Sequence, residues 1–242
     1  MDTDMKTLKL LLLGIIWLAS NELSFGQKNW VIEAKVGTGN TDINTTGNFP
    51  DLALTTNSHT FISFGVLKKL KNNFSIGLET DIYRFNLRFT FLPLEADNGG
   101  GTNNRFWSIG PKIQKDIYLL PKLGLSLSAG FHLTQTHPLG NTYDGIWQIV
   151  RLPGGGQPIP VLLYGNEDIQ QFTFHIKPEG GIFYDLTESS RITFSCEWGI
   201  NLSQPALVVN LNRIVFEDQT FQNTHIFNGN YFAAQLGYRY SF

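Results

Sequence analysis

The twelve residues Tyr231 to Phe242 (YFAAQLGYRYSF) alternate without a break and constrain the fold of this 242-residue chain more than any other segment. Side chains of an extended chain point alternately to opposite faces. Phe232, Ala234, Leu236, Tyr238, Tyr240 and Phe242 therefore share one face, and Tyr231, Ala233, Gln235, Gly237, Arg239 and Ser241 the other. The first face is wholly apolar and ends in aromatics, which suits hydrocarbon and its interface. The second carries Gln and Arg, which suits a wet or side-chain-filled interior. A strand divided in this way belongs in the wall of a transmembrane β-barrel. A strand edge open to hydrocarbon would leave amide and carbonyl groups without partners, so this strand must close against the first one, placed at Trp30 to Val36.

The other end of the chain predicts export. Lys6 and Lys9 precede a short apolar run, Leu10 to Ala19, and Ser24 and Gly26 place small residues at the minus-three and minus-one positions of a cleavage site. The pattern predicts a signal peptide over residues 1–26, cut between Gly26 and Gln27, and a barrel domain over 27–242. Asp2 and Asp4 are unusual in a basic leader, which makes Met5 an alternative start. The apolar run is well short of the ~20 residues that a spanning helix needs. Removing Lys6 and Lys9 from 18 basic residues, and Asp2, Asp4 and Glu22 from 20 acidic ones, leaves a net charge of −1. Near-neutrality gives no electrostatic case for nucleic acid. The 24 glycines and 19 phenylalanines fit an all-β chain with many turns and an aromatic surface. Cys196 is the single cysteine, so no internal disulfide forms and none is available to accept a lipid after the leader.

Period-two scanning finds eight segments of about the nine to eleven residues expected of tilted spanning strands. Their outward faces include Trp30 to Val36, Ile62 to Val66, Phe74 to Ile82, Trp107 to Ile113, Leu123 to Leu133, Phe172 to Tyr184, Ile192 to Leu202 and the C-terminal strand, each read at every second residue. Connections alternate in length. Residues 68–73, 117–122 and 185–190 form tight turns, whereas 38–59, 87–104, 135–168 and 203–230 are long. Short periplasmic turns and long external loops are the asymmetry of outer-membrane barrels, and an even strand count puts both ends on the periplasmic side. A soluble sandwich or lipocalin-like barrel is the competing fold, with its apolar face turned inward. Two features strain the eight-strand reading. After Ile82 the apolar phase flips to Phe85, Leu87, Phe89 and Phe91, which predicts a bulge or a strand emerging above the membrane. Residues 146–150, 160–164 and 207–216 also have strand character; they are read as extensions or hairpins on the outer side, with ten or twelve strands as alternatives.

The inward faces collect Glu33, Lys35, Glu79, Asp81, Lys112, Lys177, Glu179, Glu197 and Arg239, with His132 and His175. Five acids against four bases predict a cross-linked polar plug in a barrel only wide enough for its own side chains. Mixed signs argue against a strongly ion-selective pore. Small inward residues such as Gly65, Gly130, Ser126, Ser128, Gly199 and Gly237 keep a narrow water path open as the alternative. The five histidines show no metal-type spacing, and no cofactor is expected. The nearest approach to an acyl-transfer pair is His132-Leu133-Thr134, with Thr where a lipid A deacylase carries Ser. The long loops are poor in charge and include Tyr143, Trp147, Tyr164, Phe216, Phe221 and Phe227, suited either to recognition of an extracellular ligand or to packing as a cap.

The ending Tyr238, Tyr240, Phe242 at two-residue steps resembles the C-terminal signal that outer-membrane barrels present to the barrel assembly machinery. With the leader and the strand pattern, the chain looks like the small eight-stranded outer-membrane barrels, the group of OmpA-type, OmpX-type and PorT-like barrel-domain proteins. The resemblance implies residence among outer-membrane lipid and contact with the assembly machinery during biogenesis. Fold does not fix function in this group. A non-enzymatic barrel whose loops serve surface interaction or envelope integrity is the leading expectation, a narrow solute pore the alternative, and a lipid-modifying enzyme a third.

Overall fold

A computed structural model describes residues 29–56, 59–91, 96–137, 142–150 and 159–242. The leader and the Gly26–Gln27 junction lie outside these residues. The described chain is all-β apart from one turn of 3-10 helix at Lys71–Asn73. Eight strands form the barrel: β1 (Trp30–Asn40), β4 (His59–Lys69), β5 (Phe74–Phe91), β6 (Ala96–Tyr118), β7 (Leu123–His137), β10 (Phe172–Asp185), β11 (Ser190–Asn201) and β14 (Tyr231–Ser241). Each pairs antiparallel with its neighbours, and β14 closes on β1 with Ile32 opposite Tyr240 and Glu33 opposite Arg239. Reciprocal backbone bonds between Trp30 and Phe242, 3.0 and 3.1 Å, extend the seam to the end of the chain. No edge is left open in the wall, the condition for a barrel in hydrocarbon. The ten- and twelve-strand alternatives are not realised.

The tight connections join β4 to β5, β6 to β7 and β10 to β11 at the end of the barrel that also holds Trp30 and Phe242. The other end carries the remaining strands. In β2 (Ile43–Gly47), β8 (Thr142–Val150), β9 (Ile159–Ile169), β12 (Leu207–Phe216) and β13 (Gln219–Phe227), the three strand-like loop segments join a separate five-stranded sheet, ordered β2-β13-β12-β9-β8. β3 (Leu52–Thr56) instead pairs with the far end of β5.

Strand β5 explains the phase change after Ile82. Its odd-numbered residues stay on one inward face from Ser75 to Phe91, so no bulge intervenes at Ile82. What changes is the medium on each side. Up to Ile82 the outward residues are Phe74, Ile76, Leu78 and Ile82, all exposed, with half-buried Thr80 between the last two. Beyond it they are Arg84, Asn86, Arg88 and Thr90. Inward, Glu79 and Asp81 give way to Tyr83, Phe85, Leu87, Phe89 and Phe91, all buried. The lower barrel is therefore polar inside and apolar outside, as a membrane barrel must be, and the upper part is apolar inside and polar outside, as a soluble fold is. The only register shift of β5 against β6 lies further along, between Arg88 and Thr90.

The upper interior is one aromatic core. Tyr83 stacks on Phe61 at 4.7 Å and on Phe106 at 5.1 Å, Phe85 meets Phe227 edge-on at 5.2 Å, and Phe49 stacks on Phe221 at 4.5 Å. Leu163, Leu207, Leu211 and Ile214 from the five-stranded sheet pack into the same cluster. Ring pairs of this geometry add to the burial of their area, so the sheet is seated on the barrel as a folded cap. Most of the loop aromatics considered for recognition are spent in it: Tyr143 and Phe227 are buried, and Phe216 and Phe221 pack against the cluster. Tyr164 carries Arg213 over its ring at 5.2 Å. The side chain of Trp147 lies outside the described ones.

Candidate functional site

Among the described residues, charged side chains converge in the lower lumen, and strand parity puts them there. Glu33, Lys35, Glu79, Asp81, Lys112, His132, His175, Lys177, Glu197 and Arg239 are buried inside the barrel, and the Glu179 side chain is 9% exposed. They come from seven strands, so the network ties opposite walls together.

Glu33 and Arg239 face each other across the closing seam, with Arg239 Nε donating to Glu33 Oε2 at 2.8 Å. Lys112 Nζ lies 2.6 Å from both Glu79 and Glu179 and 3.4 Å from Glu33. Lys35 Nζ reaches Glu179 at 2.9 Å and Glu79 at 3.0 Å. A second cluster sits nearer the cap. Lys177 pairs with Asp81 and, at 3.1 Å, with Glu197, which accepts a 2.7 Å bond from the Tyr231 hydroxyl. Ser108 donates to Asp81 at 2.6 Å, and His132 Nδ1 lies 3.3 Å from the same carboxylate. His175 stands above, between Thr134 at 3.0 Å and the Gly229 carbonyl at 3.0 Å.

Sequence reasoning missed the lower rim. Arg191 pairs with Asp116 at 2.5 Å and with Asp185 at 2.6 Å, and Arg239 reaches Asp116 at 3.2 Å. Asp116 has the parity of Lys112, and Arg191 that of Glu197. Both lie at strand ends beside turns, where period-two scanning stops. These groups line a cavity of about 130 Å³ at the short-turn mouth, together with Lys69 and Tyr118.

Two of the small inward residues make room for neighbouring side chains. A Cβ on Gly199 would fall 2.0 Å from the Tyr231 ring, and one on Gly237 would fall 2.4 Å from Thr193 Oγ1 and 2.8 Å from Lys35 Cγ. Two sets of ligand-type residues, Glu79-Asp81-His132 and Glu79-Glu179-Glu197, bring donor atoms within 4.8 Å of one another. Their carboxylates already hold the ammonium groups of Lys35, Lys112 and Lys177, which occupy the electrostatic role of a cation. The His132-Leu133-Thr134 pair is split: Thr134 bonds to His175, while His132 meets Ser108 and Asp81 through the same ring nitrogen. A Ser-His-acid relay needs the acid hydrogen-bonded on the nitrogen opposite the hydroxyl, and there Nε2 has only Glu79, 3.9 Å away and beyond hydrogen-bond reach.

A closed eight-stranded antiparallel barrel with an apolar exterior belt, a charge-paired lumen and short turns at one end defines the fold of the small outer-membrane barrels. Solved structures of outer-membrane proteins are similar to it. The outer-membrane protein OprG from Pseudomonas aeruginosa matches with a TM-score of 0.50 at 9% identity, covering 88% of this chain and 95% of that one. Neisserial surface protein A matches with a TM-score of 0.45 at 11% identity, over 89% and 98% of the two chains. The N-terminal barrel domain of Pseudomonas aeruginosa OprF matches with a TM-score of 0.40 at 12% identity, over 88% and 98%. No protein-family model and no curated protein matches the sequence.

Proposed function

We propose that this chain is an integral outer-membrane barrel without catalytic activity, whose sealed lumen is a scaffold for the five-stranded cap. Both chain ends and the tight turns face the periplasm, and the cap stands on the outer surface, where it serves envelope integrity or contact with an external partner. The observation that carries this reading is the filling of the bore. Ion pairs bridge the walls from Arg191 up to Lys177, and the Tyr83-Phe61-Phe106 stack lies above them. Cross-wall charges in a low-dielectric bore are held by many short bonds, and an ion passing through would have to break several at once. The division of the His132 and Thr134 contacts supports the non-enzymatic part of the reading.

Planar-bilayer recording tests it. Purified protein should insert without opening channels in 1 M KCl at 100 mV, and a variant lacking the lumen charges Glu79, Lys112 and Glu179 should raise conductance. Steady conductance of porin size from the unaltered protein would favour the solute-pore reading and defeat the sealed one.

A further inference from the structure

Arg84 on β5 and Arg105 on β6 are direct cross-strand partners. Both are exposed on the outward face, immediately above Ile82 and Trp107, which are the last apolar cross-strand pair of the belt on that wall. The Trp107 indole donates to Thr80 Oγ1 at 2.8 Å, which fixes the ring at the boundary where tryptophan marks a membrane interface. Like charges directly opposite one another oppose strand pairing. Among the described residues, neither guanidinium has a carboxylate partner that would relieve this. Along the register, Arg84 faces Thr60 on β4, with Thr38 of β1 and Ala234 of β14 next in line, and Arg105 faces His137 on β7. Two arginines are thus placed side by side, unneutralised, on one wall at the level of lipid headgroups.

We propose that Arg84 and Arg105 clamp the phosphate of a phosphorylated lipid in the leaflet at the cap end, with its acyl chains lying along Ile82, Trp107 and the belt below. Each guanidinium offers a planar fork matched to phosphate oxygens, and one phosphate between two forks turns their repulsion into a shared contact. The assignment rests on the membrane residence proposed above. Native mass spectrometry of the detergent-solubilised full chain tests it, with a diphosphorylated lipid A-type glycolipid as the probe. The unaltered protein should retain one equivalent with an affinity about ten-fold above that of R84Q/R105Q, the loss expected for charge-assisted contacts. R213Q, on the cap, should match the unaltered protein. The dephosphorylated glycolipid should bind all three equally weakly. Equal retention by R84Q/R105Q, or equal binding of the dephosphorylated lipid by the unaltered chain, would overturn the clamp. Displacement of the lipid by low-millimolar inorganic phosphate would assign the site to the free anion instead. Heat-modifiable migration and liposome insertion, measured on the same three proteins, keep the two readings apart. Failure of the unaltered chain to insert would defeat the membrane reading, whereas normal insertion with unchanged lipid retention would defeat the clamp alone.

Discussion

Glu33 and Arg239 show what a single residue does inside a bore this narrow. Each is buried, and Glu33 is also within 3.7 Å of Lys35 and 3.4 Å of Lys112, so its carboxylate offsets three cations at once. Glu33→Ala leaves Arg239 with Asp116 alone and should cost about 3–5 kcal/mol in denaturant unfolding from micelles, whereas Glu33→Leu with Arg239→Leu should cost less, because no charge is left stranded. Equal losses in the two proteins would mean that packing outweighs charge at the seam. A second residue sets a pH limit on the cap. His225 is fully buried, with Nδ1 2.8 Å from Thr45 Oγ1 and its ring edge-on to Phe89, and burial pushes its pKa down to about 4. The unfolded cap binds this proton near the ordinary imidazole pKa of about 6.5. Between that value and about 4 the unfolded state therefore holds more protons than the folded one, and stability falls as pH falls. Protection factors of the β13 and β2 amides, corrected for the slower intrinsic exchange at low pH, should fall from pH 7 to pH 4.5 by roughly 2 kcal/mol in opening free energy, while those of β10 and β11 hold. His225→Gln should remove this part of the acid response. The inward direction of Glu33, Glu79, Lys112 and Arg239 was legible from parity alone. The partners of Asp116 and Arg191 were not, because they depend on barrel shear and on strand ends, which a local alternation does not encode.

At the scale of the element, β5 and β14 are the informative strands. The C-terminal strand keeps one phase throughout, Phe232 to Tyr240 exposed and Tyr231 to Ser241 buried, because it meets lipid on one side and lumen along nearly its whole length. Strand β5 is 18 residues long and crosses two environments, so a fixed parity is read as a flipped apolar pattern. A phase change without a bulge was one of two sequence readings, and only the structure distinguishes a kink from a change of solvent. Three of the five cap strands, β8, β9 and β12, were legible as strand-like segments, but β2, β13 and the sheet itself were not, since the pairing brings together residues as distant as Ile43 and Phe227. If Tyr238, Tyr240 and Phe242 form the recognition signal for assembly, deletion of Phe242 should lower the folded yield in outer membranes far more than a polar change on the cap surface. Asn212→Asp, at an exposed position, is the suitable control. Equal yields of folded, heat-modifiable protein from the Phe242 deletion and Asn212→Asp would remove the end of β14 from the assembly step.

For the whole molecule, the defining feature is an inversion of polarity: a membrane-type barrel below and a soluble-type core above, on continuous strands, with ion pairs across the lower bore and aromatic rings across the upper. Eight strands, the positions of the tight turns and the outward belt could be read in advance because lipid imposes a strict period of two. The cap could not, because above the membrane burial is decided by long-range packing and the chain returns to ordinary globular rules. Scanning spin labels along β5 measures the inversion directly. With Cys196 replaced, single cysteines at 76 to 90 would be labelled in proteoliposomes and relaxed by oxygen, which partitions into lipid, and by a neutral nickel chelate, which stays in water. Oxygen accessibility is expected at 76, 78, 80 and 82, nickel accessibility at 84, 86 and 90, and shielding from both at 79, 81, 83, 85 and 87. Nickel relaxation at 79 and 81 equal to that at 84 would show an open aqueous bore, and nickel accessibility at 76 to 82 would place the belt in water; either result contradicts the account.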